Sequence, residues 1–179
     1  MISVGIHPWN IGEDWEQKLA FLAEAVAWPG VRCIGEAGLD SLRGGDLRVQ
    51  REVFARQVKI AEAVNKPVIV HCVRAYSELL ELKKELKVRV PMVIHGYNRK
   101  PELAMRLVEA GFYLSFGREI LSRPQVQQVL REMPADRFFL ETDGHPGIEI
   151  QEIYRQAAAL REVTPDDLQE KLIENFNRL

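Results

Sequence analysis

Five side chains that can bind metal ions or transfer protons stand at the ends of separate apolar runs in this sequence. They are His7, Glu36, His71, His95 and Asp143, and the remaining histidine, His145, follows two residues after the last of them. Imidazole and carboxylate groups are ligands of Zn²⁺, Mn²⁺ and similar ions, and a bound ion lowers the pKa of its water toward neutral pH. The pattern therefore predicts a hydrolytic metal centre, and the alternative is a polar cluster that only satisfies buried hydrogen bonds.

The apolar runs themselves predict six strands. Each is short and apolar at nearly every position: Ile2–His7, Val31–Gly35, Pro67–His71, Pro91–His95, Phe112–Phe116 and Phe138–Glu141. Continuous apolarity, in place of alternation, indicates strands that are buried on both faces.

Amphipathic segments separate these runs and predict helices. They cover Asp14–Ala27, Leu47–Val64, Tyr76–Leu86, Lys100–Ala110 and Gln125–Arg131, and the tail Ile150–Leu179 predicts two more. The two tail helices are divided near Thr164, which suits an N-cap because Pro165 follows it at the first helical position.

Strands that alternate with helices predict an α/β fold with a parallel sheet. One architecture is an open doubly wound sheet, and the other is a (β/α) barrel that lacks two units, because a full barrel needs about 250 residues. In both, the loops at the carboxyl ends of the strands build the active site. The chain has 179 residues, 46% of them hydrophobic, and shows no linker, so we expect a single domain over residues 1–179.

Composition restricts the class of protein further. The formal net charge of −2 argues against a protein that coats DNA by charge alone, but it allows an enzyme that contacts a few phosphates. Cys33 and Cys72 lie in apolar runs, where free thiols are expected, and no phosphate-binding glycine motif is present. No apolar stretch is long enough to span a membrane, and the N-terminus has no signal-peptide pattern, so we expect a cytoplasmic protein without a membrane partner.

Several motifs, taken in chain order, resemble the TatD family of metal-dependent deoxyribonucleases, which belongs to the amidohydrolase-like barrels. The segments that carry the resemblance are Ser3–Pro8, Ile34–Asp40, Pro67–His71, Leu140–Asp143 and Asn175–Leu179, and together they extend over nearly the whole chain. The resemblance implies an incomplete TIM-type (β/α) barrel with about six parallel strands and outer helices.

The resemblance also implies a role for each candidate metal ligand. Glu36 would bridge two metal ions, and His71 and His95 would complete one of the two sites. Asp143 would serve the other site and orient the attacking water, so that Asp143 and Glu36 are the implied catalytic residues. The implied cofactor is a divalent ion, Zn²⁺, Mn²⁺ or Mg²⁺, with one or two per chain.

Substrate and partners follow from the same resemblance. DNA or a small phosphate ester is the implied substrate, and His7 and Arg74 are the implied contacts to its phosphate. A sheet that lacks two barrel strands exposes apolar edges, and such edges invite pairing with another chain. We therefore also expect either a homodimer or a barrel with a gap between its first and last strands.

One departure from the family pattern bears on activity. The family's first strand carries an H-x-H pair that supplies two ligands to one metal, and this sequence has no H-x-H. The resemblance then implies one underligated metal and weak turnover. Three functions remain open: a metal-dependent phosphodiesterase, a catalytically degenerate metal-binding homologue, and an amidohydrolase-like enzyme that acts on a small molecule.

Overall fold

A computed structural model describes residues 2–179 of the chain. The chain divides into two compact units, Met1–Val93 and Ile94–Leu179. Each unit contains parallel strands and helices that alternate along the chain. The prediction of one domain over residues 1–179 stays a prediction.

The first unit contains three parallel strands and three helices. In chain order they are β1 (Ile2–Val4), a 3-10 turn (Pro8–Asn10), α1 (Trp15–Ala25), β2 (Val31–Asp40), α2 (Leu47–Val64), β3 (Val68–Val73) and α3 (Tyr76–Glu85). Strand β1 pairs with β2, and β2 pairs with β3. A further strand, β4 (Met92–Ile94), lies at the end of this unit and reaches the first residue of the next.

Helix α2 has the bounds that its sequence predicts, because both of its ends are defined locally. Asp46 caps the start, where its carboxylate accepts the Arg48 N–H at 2.8 Å, and Asn65 ends the helix in the left-handed conformation with φ of 50°. The buried stripe of the helix is mostly apolar, but it also contains Gln50 and Gln57. These two polar side chains contribute to the candidate site described below.

Strand β2 is longer than predicted. The sequence indicates a strand that stops at Gly35, whereas β2 continues to Asp40 through an irregularity in register between Ile34 and Ala37. Gly35 and Gly38 look like strand breakers, but here they permit a bulge and a close approach to β3. A side chain at Gly38 would place its Cβ 1.9 Å from the carbonyl oxygen of His71.

The second unit contains helices around two paired strands. Its elements are α4 (Pro101–Glu109), β5 (Phe112–Phe116), α5 (Glu119–Ser122), α6 (Pro124–Glu132), β6 (Phe138–Leu140), α7 (Ile150–Arg161) and α8 (Pro165–Phe176). Strands β5 and β6 are parallel, and every residue of β5 is buried. The predicted cap of α8 is confirmed, since Thr164 Oγ1 accepts the Asp167 N–H at 3.1 Å. The short helix α5 was not predicted, because four residues are too few to show a helical period.

Membrane insertion by a helix finds no support in the part of the chain that the structure describes. None of the helices within residues 2–179 combines the length and the apolar character that a membrane span requires. The predicted cytoplasmic location itself stays a prediction.

Candidate metal centre

Three of the residues singled out by the sequence come together in the first unit. His7 follows β1, Glu36 lies in the irregular part of β2, and His71 lies in β3. One ligand atom of each lies within 4.8 Å of the ligand atoms of the other two. His71 is buried and the other two are half-buried, so the group forms a partly shielded cluster of two imidazoles and one carboxylate, which we call the metal cluster.

His71 is oriented by a buried carboxylate. Its Nε2 lies 3.1 Å from Asp40 Oδ2, and both side chains are almost fully buried. An imidazole that donates Nε2–H to a carboxylate carries its lone pair on Nδ1, which is then the atom suited to a metal ion. Such carboxylate–histidine pairs commonly support metal-binding histidines, so this pair fits the predicted chemistry.

Asp40 accepts hydrogen bonds through both of its oxygens. Oδ1 accepts the N–H groups of Leu42 and Arg43 at 2.9 and 3.1 Å, and Oδ2 accepts Nε1–H of Trp9 at 2.7 Å in addition to the contact with His71. Burial on its own would raise the pKa of Asp40, but the hydrogen bonds, of which that from Trp9 is the largest contribution, lower it. Asp40 is therefore an anion that connects the end of β2 to β3 and to the turn after β1.

His7 has a different hydrogen-bonding arrangement. It caps the 3-10 turn, where its Nδ1 accepts the Trp9 N–H at 3.2 Å. Because Nδ1 is the acceptor, the proton of the neutral ring sits on Nε2, which lies 3.6 Å from Glu36 Oε2. A protonated Nε2 donates hydrogen bonds and does not ligate metals, so this geometry suits contact with an anionic oxygen better than metal binding.

The two glutamines of α2 hold the segment after β1 and the end of β2 in place. Gln57 Oε1 accepts the Ile6 N–H at 2.7 Å while its Nε2 donates to the Ile6 carbonyl at 3.1 Å. Gln50 makes the same pair of bonds with Asp40, at 2.7 and 3.0 Å. Each glutamine amide thus makes the two main-chain hydrogen bonds that a neighbouring strand would otherwise make. Of the two residues held in this way, Ile6 immediately precedes His7, and Asp40 contacts His71.

His95 and Asp143 belong to the second unit. His95 directly follows β4, and its Nδ1 lies 3.7 Å from Glu141 Oε1, which also accepts the Gly96 N–H at 2.7 Å. Asp143 is exposed in the turn after β6 and has a positive φ of 51°. The metal-binding roles of both residues, and the catalytic role of Asp143, stay predictions.

Arg74 lies directly after β3, as the sequence predicts. Its side chain is exposed and its φ is 51°, while its carbonyl oxygen accepts the Ser41 Oγ–H at 3.0 Å. The main-chain conformation of Arg74 is therefore fixed beside the end of β2. Its contact to a substrate phosphate stays a prediction.

Sequence reasoning missed four residues that shape this cluster. They are Trp9, Asp40, Gln50 and Gln57, each of which interacts with the end of a strand. A signal for three of them was present: an aspartate at the end of an apolar run, and two glutamines seven residues apart in the apolar stripe of a helix. The role of Trp9 had no local signal, because it depends on which strands are neighbours.

Comparison with known proteins places the chain in a family. The sequence model of the family described as TatD related DNase matches residues 1–179. The chain is 31% identical to the uncharacterized metal-dependent hydrolase YcfH of Escherichia coli, and the match covers 100% of this chain and 73% of that protein. It is also 32% identical to human deoxyribonuclease TATDN3 over 78% of this chain and 56% of that protein.

A solved structure supports the same relationship. The crystal structure of YjjV, a TatD homologue from Escherichia coli, superimposes with a TM-score of 0.82 at 25% identity, covering 97% of this chain and 73% of that chain. The predicted fold class, an incomplete TIM-type (β/α) barrel with six parallel strands and outer helices, is thereby confirmed.

Proposed function

The chain belongs to the family of TatD related DNases, which are metal-dependent hydrolases, and we propose that it hydrolyses phosphodiester bonds. The observation that carries this proposal is the metal cluster, in which ligand atoms of Glu36 and His71 lie within 4.8 Å of each other and of a ring nitrogen of His7. A divalent ion bound there would activate a water molecule for attack on phosphorus. Zn²⁺, Mn²⁺ and Mg²⁺ are the candidate ions.

Within the cluster, we assign metal binding to Glu36 and His71. The carboxylate of Glu36 offers oxygen atoms, and the hydrogen bond from His71 to Asp40 directs the lone pair on His71 Nδ1 toward metal binding. His95 and Asp143 are the further ligands that the sequence predicts, and Asp143 would in addition orient the attacking water.

His7 would bind the substrate. Its Nε2 lies 3.6 Å from Glu36 Oε2, so its N–H can donate to a non-bridging oxygen of a phosphate bound beside that carboxylate and can stabilise the charge that develops there. Arg74 adds a positively charged contact, which suits a phosphate group. In this proposal the two residues bind and orient the substrate.

DNA is the proposed substrate because a human relative carries the name deoxyribonuclease. A smaller phosphate ester is the alternative within the same chemistry. We expect slow turnover, since the sequence lacks the H-x-H pair that would supply two further ligands.

The test is metal-dependent turnover by protein that has first been stripped with a chelator. Hydrolysis of bis(p-nitrophenyl) phosphate and of a short single-stranded oligonucleotide is measured after Zn²⁺, Mn²⁺ or Mg²⁺ is added back. We expect turnover with at least one ion, and we expect Glu36→Gln to lower it by more than about 100-fold, beyond the usual loss for a residue that only supports a ligand. The matched control is Glu24→Gln, which changes an exposed glutamate on α1 and should leave turnover unchanged.

Calorimetry with the metal alone separates the alternatives. Metal binding that depends on Glu36 and His71, without turnover of either phosphodiester, would replace the proposal with a degenerate metal-binding homologue. Turnover that survives in Glu36→Gln would show that the hydrolysis does not occur at this cluster.

A further inference from the structure

A half-exposed tryptophan borders the metal cluster. The Trp9 ring centroid lies 4.8 Å from that of His7 and 5.6 Å from that of His71, in edge-to-face arrangements with both. Nevertheless 49% of Trp9 is exposed. A large aromatic surface that stays exposed beside the proposed metal cluster is a candidate contact for a ligand.

The Trp9 ring is fixed in orientation before any ligand arrives. Its Nε1–H donates to Asp40 Oδ2 at 2.7 Å, and the Asp40 carboxylate is held by three further contacts, with the Leu42 N–H, the Arg43 N–H and His71 Nε2. A ring that is already immobilised loses little conformational entropy when a ligand packs against it. Support of Asp40 requires only the indole N–H, so it does not account for the exposed surface of the ring.

A positive charge accompanies the ring. The Arg43 guanidinium lies 4.9 Å from the centroid of the Trp9 ring, above its face. The main chain of Arg43 is held on both sides, because its N–H donates to Asp40 Oδ1 at 3.1 Å and its carbonyl accepts Gln50 Nε2–H at 2.9 Å. An aromatic surface and a guanidinium in contact match the two parts of a nucleotide, a flat base and an anionic phosphate.

We propose that Trp9 and Arg43 form a nucleobase subsite next to the metal cluster. The base would stack on Trp9, and the Arg43 guanidinium would pair with a phosphate of the same strand. The inference deepens the proposed function, on which it rests for the reaction but not for the binding, by requiring that the substrate carry a base beside the phosphate. Stacking of one base on an aromatic side chain corresponds to about 5- to 150-fold in Kd.

The experiment compares two phosphates that differ only in the base. Binding of thymidine 5′-monophosphate and of 2-deoxyribose 5-phosphate is measured by calorimetry at one fixed concentration of Mn²⁺. The wild-type protein should bind the nucleotide at least about 5-fold more tightly than the sugar phosphate. Trp9→Leu should abolish that preference, whereas Trp9→Phe should keep most of it, although it also lacks the indole N–H.

Trp28→Leu is the matched control, because Trp28 is exposed to the same 49% but packs edge-on against Phe21 on α1. It should leave the affinity for both ligands unchanged. Arg43→Gln should weaken both ligands together, because each carries a phosphate.

Two results would overturn the nucleobase subsite. One is the absence of a preference for the nucleotide in the wild-type protein. The other is an equal loss for both ligands in Trp9→Phe and Trp9→Leu, which would mean that Trp9 acts only through Asp40. A base preference without phosphodiester turnover would instead reject the proposed function and keep the subsite.

Discussion

Gln57→Met should destabilise the protein because Gln57 satisfies two buried main-chain groups of one residue. The side chain accepts the Ile6 N–H at 2.7 Å and donates to the Ile6 carbonyl at 3.1 Å, and both bonds are buried. Each buried polar group left without a partner costs about 1–3 kcal/mol, so the two together cost about 2–6 kcal/mol. Burial of the methionine thioether offsets about 1 kcal/mol, which leaves a net loss of about 1–5 kcal/mol.

Urea unfolding measures this loss as a lower midpoint at an unchanged m-value. The matched control is Gln128→Met on α6, where the glutamine is exposed and bonds only to Glu132, and where a change within about 0.5 kcal/mol is expected. Because Ile6 precedes His7, which we assign to substrate binding, Gln57→Met should also lower turnover by about 10-fold. Equal midpoints for the two variants would refute the reasoning, since they would show that the Ile6 groups find other partners at no cost.

Three further predictions concern stability, each measured by urea unfolding. Arg161→Met should lower the free energy of unfolding by about 1.5–3 kcal/mol, because the guanidinium donates to three carbonyls at the end of α6. An unchanged free energy of unfolding would mean that water satisfies these carbonyls when the guanidinium is absent. Burial alone would raise the pKa of Glu62, but hydrogen bonds from two main-chain N–H groups and one guanidinium lower it. The stabilisation by Glu62 is therefore present above its unfolded-state pKa of about 4.5 and is lost as the pH falls through the lower folded-state pKa. The difference in the free energy of unfolding between wild type and Glu62→Gln should shrink from pH 6 to pH 3. A difference that stays constant over this range would contradict the prediction. Gly38→Ala should cost more than about 3 kcal/mol, because its Cβ would lie 1.9 Å from the His71 carbonyl oxygen, and a stable variant would mean that β2 and β3 can separate there.

The sequence predicted the helices and strands where the deciding interactions are local. The bounds of α2 follow from an apolar stripe with Asp46 and Asn65 as caps, and all of these signals lie within a few residues. The length of β2 could not be predicted in this way. Gly35 and Gly38 interrupt the apolar run, and only the pairing with β3 decides that they form a bulge instead of a strand end.

The same distinction explains what was predicted of the site. Histidines and carboxylates at strand ends suggested the metal cluster, because parallel strands deliver their carboxyl ends to one edge of a sheet. Asp40 was not singled out, since its function depends on the register that places Gly38 beside His71 and thus brings Asp40 within reach of the imidazole. A register of this kind is a property of two strands that are distant in sequence.

The glutamines of α2 show how a helix can organise a site without facing the substrate. Gln50 and Gln57 are seven residues apart, two helical turns, and therefore lie on the same face of α2. The last residues of a strand have main-chain groups that ladder hydrogen bonds no longer satisfy, and a neutral amide offers one acceptor and two donors in a single plane. A carboxylate would repel the carbonyl, and an apolar side chain would leave both groups without partners. Glutamine is thus the residue that allows the buried face of α2 to pack against β2 while it fixes Ile6 and Asp40, and with them the imidazoles of His7 and His71.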